Sequence, residues 1–241
     1  MHVLHAAILA IALSVCSADQ QPQWLARAQQ RLATYNYSNP KPLIGIISQP
    51  CHDCPGRSYI PAAYVKWIEA AGGRAVPIRY YDSDEQLRFL FNSTSGLIFP
   101  GGLTWLYLDA PYVITARKLF EMANTANDAG DFYPIHGTCL GHQLLHILVA
   151  NADRDTLLVE TDAVQNPNIL NFSAAAANSA YFGHMAPELR AKLADPAFNI
   201  AYENHEMGLP PAHYDLWPEL KNWYRVLTTT LDRCVEAQYT F

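Results

Sequence analysis

The sequence predicts an α/β fold in three layers, with a mostly parallel central sheet between helices. Three features point to it. Short apolar runs alternate with segments of helical periodicity along the first 150 residues, the order that makes parallel sheets with right-handed crossovers. These runs are continuous rather than alternating in polarity, as in strands buried on both faces. Half of the 241 residues are hydrophobic and only 16% are charged, enough apolar material for one large core and too little charge for a disordered chain.

Met1 to Ala18 holds an apolar run too short to span a bilayer, followed by Cys16, Ser17 and Ala18. It reads as a secretory signal peptide cleaved after Ala18, although its first residues lack Lys or Arg, and a buried N-terminal helix is the alternative. Residues 19–41 form a polar lead-in, and one domain is expected over 42–241. Pro42 to Ser48 reads as the first strand. Ile60 to Ala71 has apolar residues at helical spacing, with Pro61 allowed in the first turn and Gly72-Gly73 as the stop. Ala75 to Ile78 is the second strand, and Ser83 caps a helix running to Phe91. Gly96 to Phe99 is the third strand, ending in Pro100-Gly101-Gly102. Tyr112 to Ala129 is a long helix, and Tyr133 to His136 the fourth strand. Beyond Ala150 the pattern loosens. Asp162 to Ala180 is polar and Ala-rich, Pro187 to Leu193 reads as helical, and Tyr224 to Thr229 resembles a strand.

The chain is centred on Gly137-Thr138-Cys139-Leu140-Gly141. This G-x-C-x-G stretch follows an apolar run and opens a helix, and it is the cysteine counterpart of the G-x-S-x-G elbow that exposes a nucleophile on a strained turn. The helix N-terminus is expected to favour the thiolate there, and a buried packing cysteine is the bland alternative. A cysteine nucleophile also needs an oxyanion site and a proton shuttle. The amide of Leu140 is one candidate oxyanion donor and that of Gly102, after the third strand, the other. Parallel sheets bind ligands at the carboxyl ends of their strands, so the two turns can share one crevice. His136, His142 and His146 suit packing or supporting roles. His205, in the polar stretch Tyr202 to Gly208, is the better candidate for lining the site.

A formal net charge of −6 with no basic run argues against nucleic acid or an anionic membrane as the main partner. Entry to the secretory route would make Asn36, Asn92 and Asn171 glycan acceptors, since each opens an N-x-[ST] triplet. Cys51-His52-Asp53-Cys54 is a C-x-x-C without a second pair, so a local disulfide or two free thiols is expected rather than metal. No metal or cofactor is expected.

These residues resemble the γ-glutamyl hydrolases, which belong to the class I glutamine-amidotransferase-like cysteine hydrolases. The resemblance runs from Pro42 to the C-terminus. It is carried by Pro42 to Ile46, Ser58 to Lys66, Ala70 to Ile78, Gly96 to Gly102 and, most specifically, Asn127 to Pro134 leading into Gly137 to Gly141. Asn204-His205 and Val226 to Thr229 are weaker matches. The resemblance implies a secreted, lysosomal or vacuolar enzyme that cleaves γ-glutamyl bonds of folate poly-γ-glutamates through a thioester on Cys139. It assigns His205 to substrate handling and is compatible with a homodimer. Arg57 and Lys66 are candidate ligands for the substrate's carboxylates, with surface ion pairing as the alternative.

Two departures accompany it. His142-Gln143 follows the elbow as in biosynthetic amidotransferases, where the hydrolases usually carry an aromatic residue and Glu. The family's catalytic His and Glu lie in a Q-x-H-P-E segment, which Val235 to Phe241 approaches, yet no H-P-E occurs in these 241 residues. A domain without its last strand, closing helix and shuttle histidine, and with impaired activity, is therefore the expectation. A glutaminase subunit passing ammonia to a synthase, and a non-catalytic protein that binds γ-glutamyl ligands, are the competing readings.

Overall fold

The computed structural model describes residues 41–51, 53–54, 56–231 and 238–240. The expected signal peptide, nearly all of the lead-in, Asn36 and Cys234 lie outside the described residues.

The chain opens on β1 (Leu43–Ile47), whose run of Leu and Ile feeds a buried strand. A small antiparallel hairpin follows, β2 (Gln49–Pro50) with β3 (Ser58–Tyr59), clipped by the Cys51–Cys54 disulfide. Next come α1 (Ala62–Ala70), β4 (Arg74–Ile78) and α2 (Asp84–Ser93). Ser83 caps α2 as its sequence suggests, its hydroxyl accepting from the Gln86 amide at 3.2 Å. β5 (Leu97–Phe99), α3 (Pro111–Asp128), β6 (Ile135–Gly137) and α4 (Leu140–Ala150) complete the regular half. At the turn between α3 and β6, the Asn127 side chain donates to the Tyr133 carbonyl at 2.8 Å and accepts from its amide at 2.9 Å. This fixes the line on which β6 enters the sheet.

Four strands form one parallel sheet in the order β4-β1-β5-β6. Side chains alternate across it. Ile47, Ile78, Leu97 and Phe99 face a large core shared with Leu87 and Phe91 of α2, Leu119 of α3, and Leu144 and Ile147 of α4. Ile46 and Ile98 face the other way, onto Ile68, Tyr64 and Val65 of α1. Helices on both faces give the three layers that the alternating runs predict. Each fully buried Leu or Ile contributes about 1.5–3 kcal/mol by leaving water. The strand order reverses direction at β1, because the chain crosses from β1 to β4 on one side and returns to β5 on the other. The carboxyl ends of β1, β5 and β6 thus border a crevice.

The irregular half wraps these ends. It runs through α5 (Arg154–Leu157), β7 (Val159–Glu160), β8 (Asn166–Asn168), β9 (Asn171–Phe172), a 3-10 turn at Ala176–Asn178 and α6 (Pro187–Ala194). β10 (Ala201–Glu203), β11 (Met207–Gly208), α7 (His213–Leu216), α8 (Pro218–Trp223), β12 (Thr228–Leu231) and β13 (Gln238–Thr240) follow. β12 starts later than the apolar stretch from Tyr224 suggests, and it pairs antiparallel with β9 and β13 outside the main sheet. No helix among the described residues is long and apolar enough to cross a membrane.

Candidate active site

β6 ends at Gly137 and α4 begins at Leu140, which leaves Cys139 on the turn with φ 52° and ψ −115°. A non-glycine residue in that region is strained, and the surroundings hold it there. The flanking glycines show how. A Cβ on Gly141 would run into the Phe99 carbonyl of β5, and one on Gly137 would meet the Gly141 carbonyl at 2.5 Å. Helix and strand thus approach more closely than side chains permit. Gly141 N donates to Thr138 O at 2.9 Å and Gln143 N to Cys139 O at 3.0 Å, closing the first turn of α4.

The amides of Leu140 and Gly102 are both directed at the Cys139 sulfur, and each favours the thiolate. Burial opposes them and is the larger effect, and the nearby Glu203 charge adds to it. The thiol therefore sits above its ordinary range. This corrects the expectation from the helix N-terminus alone. The amides act in the expected direction, but desolvation outweighs them.

The structure brings Cys139, Gly102 and His205 together. All three line both a cavity of about 980 Å3 and a neighbouring one of about 470 Å3, with Cys139 on their common wall. His205 follows β10, and its Nδ1 lies 3.5 Å from Oε2 of Glu203, whose carboxyl burial pushes up to about 7. Between them, Asn204 offers its carbonyl to the Cys139 thiol at 3.9 Å. Glu203 escapes a sequence reading that considers histidines alone. Its signal is the E-x-H spacing, which puts two side chains on one face of an extended segment. Gln143 also lines both cavities and is tied by its side-chain amide to Met207 O at 2.7 Å.

His136, His142 and His146 also line the larger cavity, and each is held by packing or hydrogen bonds within the scaffold. His136 packs against Trp67 at 5.1 Å and bonds Thr138 Oγ1 at 3.0 Å. His146 is buried, with Nδ1 2.8 Å from His142 O and Nε2 2.8 Å from Tyr214 OH, and burial pushes it down to about 4. His142 is held well below its usual range by burial and then by the neighbouring imidazoles of His146, His205 and His136. Arg57 and Lys66 line neither cavity. Arg57 lies 4.1 Å from the Tyr81 ring centroid and Lys66 is exposed on α1, so neither is placed as a carboxylate ligand. Arg154 is the guanidinium in the smaller cavity, 5.8 Å from the Trp105 ring centroid. The described residues contain no cluster of His, Cys, Asp and Glu that could hold a metal ion.

A strained cysteine on a strand-to-helix turn, faced by two backbone amides at the carboxyl edge of a parallel sheet, defines the elbow class of α/β proteins. Residues 42–239 match the peptidase C26 family, and the chain belongs to that family. It is 37% identical over 201 residues to the γ-glutamyl hydrolase of Mus musculus, 34% over 200 to that of Homo sapiens, and 34% over 202 to γ-glutamyl hydrolase 1 of Arabidopsis thaliana. These matches cover 82%, 81% and 80% of this chain and 62%, 61% and 56% of the relatives. The chain thus spans about three fifths of the mouse and human proteins.

Proposed function

We propose that the chain acts as a cysteine-dependent hydrolase of γ-glutamyl bonds, with folate poly-γ-glutamates as the substrate class. The observation that carries this reading is Cys139, held at positive φ between the amides of Leu140 and Gly102 on the wall of the cavities. The names of the relatives support the choice of bond. In this reading the Cys139 thiolate attacks the γ-carbonyl carbon. The carbonyl electrons move to the oxygen, which the two amides stabilise. Collapse breaks the C–N bond, and the amine leaves with the proton that the Cys139 thiol gave up. Water then hydrolyses the thioester and restores the thiol. We assign His205 to substrate handling, and the Arg154 guanidinium supplies positive charge suited to a glutamate α-carboxylate.

The same proposal places the protein in the secretory pathway, with an extracellular, lysosomal or vacuolar destination. The apolar run over Met1 to Ala18 and the N-x-[ST] triplets support it, and the Cys51–Cys54 disulfide belongs to oxidising compartments. A glycosidase-sensitive mobility shift on protein from a secreting host tests this part.

Release of glutamate from a γ-linked oligomer, abolished in Cys139→Ala, tests the function directly. Ammonia release from free glutamine without oligomer cleavage would replace it with an amidotransferase glutaminase. Ligand binding with no turnover would leave a binding protein.

A further inference from the structure

We propose that Gln49 is a positioning residue, whose carboxamide holds the Gly101-Gly102 turn so that the Gly102 amide faces Cys139. The inference rests on the reading of Cys139 as an acylating nucleophile. Gln49 lies just past β1, at the strand ends that border the crevice, and is 0% exposed. Glutamine is seldom so buried, and its carboxamide must find partners when it is.

Here it finds them in the turn after β5. Nε2 donates one hydrogen to Pro100 O at 3.0 Å and the other to Gly101 O at 3.2 Å. Carbonyls only accept, so the two partners fix which end of the carboxamide is nitrogen. Oε1 accepts from Tyr59 OH at 3.1 Å, and the Tyr59 oxygen accepts in turn from Leu103 N at 3.4 Å. Gly101 N donates to Tyr64 OH at 2.8 Å.

Apart from the Tyr59 bond to Oε1, each of these bonds takes a backbone group of the turn other than the Gly102 amide. The turn lies against the cysteine, since a Cβ on Gly101 would meet the Cys139 Cβ at 3.1 Å, and there the Gly102 amide acts on the sulfur. The turn is thus oriented by subtraction: Pro100 O, Gly101 N, Gly101 O and Leu103 N are tied to β2, β3 and α1, which leaves the Gly102 amide to face the site. Contact is direct, because a Cβ on Gly102 would overlap the Gln49 carboxamide. The Cys51–Cys54 disulfide and the bond from Cys51 N to Arg57 O at 3.2 Å close the hairpin that carries both Gln49 and Tyr59.

An oxyanion donor acts on the transition state, so its misplacement lowers kcat rather than raising KM. Gln49→Met keeps the length of the side chain and removes both donors and the acceptor. It should lower kcat for glutamate release by about a hundredfold, the scale of one lost or displaced donor. KM and the rate of Cys139 alkylation by iodoacetamide, which needs no oxyanion site, should each change by less than about threefold. Tyr59→Phe, a milder change on the hairpin, should lower kcat in the same direction by about threefold to tenfold and carries the test if Gln49→Met does not fold. Amide hydrogen exchange across Gly101 to Leu103 should quicken in both variants. A kcat within about threefold of the parent, or a loss confined to KM, would overturn the proposal. Should the parent chain release no glutamate, the function reading fails by itself. Unchanged exchange protection at Gly101 to Leu103 in Gln49→Met would then overturn the positioning role independently.

Discussion

Oε2 of Glu203 lies 3.5 Å from Nδ1 of His205, and both side chains are largely shielded from water. The two residues flank Asn204, whose carbonyl receives the Cys139 thiol. A carboxyl, an imidazole and a thiol therefore share one wall of the cavity. Burial lifts Glu203 to about 7, and its charge in turn lifts the thiol.

The first prediction concerns Cys139 reactivity. Iodoacetamide reacts with thiolate, so its rate against pH traces the ionisation of the sulfur. Burial, the largest influence on this thiol, places the midpoint above that of a free cysteine. Glu203→Gln removes a negative charge and should move the midpoint down. A midpoint at or below the free-thiol value in the parent, or one that rises in Glu203→Gln, would refute this picture of the site.

The sheet was legible because each strand carries its own signal. Leu43 to Ile47 and Leu97 to Phe99 are apolar without a break, as strands sandwiched between helices must be. Cys139 was legible because steric demands are written locally: a glycine two residues to either side marks the close approach of α4 to β5 and β6. Gln49, Tyr64 and Glu203 were not legible, since their partners lie far along the chain. Gln49 bonds Pro100 and Gly101 some 51 and 52 residues away, and no local pattern announces such a contact. The rise in the Cys139 thiol was hidden for the same reason, because it depends on burial in the assembled fold and on the charge of Glu203, far along the chain.

The second prediction tests the elbow's steric logic. Gly141→Ala would drive a methyl group into the Phe99 backbone, where no side-chain movement relieves the overlap. The expected loss exceeds about 4 kcal/mol, the range reserved for forced backbone shifts in a core. Gly56→Ala is the control, because a Cβ there meets only ordinary contacts, the nearest at 3.6 Å. Urea unfolding of both variants decides it. A Gly141→Ala protein within about 1 kcal/mol of the parent would show that strand and helix can separate without cost.

The third prediction sets two buried groups against each other. Glu203 is raised from about 4.5 to about 7, so the stability linked to its protonated form is complete below pH 4.5 and is lost as pH rises to 7. His146 is lowered from 6.5 to about 4, so its share is complete above pH 6.5 and is lost as pH falls to 4. Each effect amounts to about 3 kcal/mol, and between pH 4.5 and 6.5 they run in opposite directions. His142 and His136, also lowered by burial, add to the side of His146. The parent should therefore gain stability as pH rises across that interval, less steeply than its buried histidines alone would make it. Glu203→Gln keeps the hydrogen-bonding shape but cannot ionise, which removes one side of the balance. Its stability should climb steeply from pH 4 to 6.5, and above pH 7 it should exceed the parent. His146→Gln should act the other way, flattening the rise between pH 4.5 and 6.5 relative to the parent. Unfolding midpoints in urea at half-unit steps of pH would read both slopes. A Glu203→Gln profile no steeper than the parent's would mean that Glu203 does not carry its proton into the folded core.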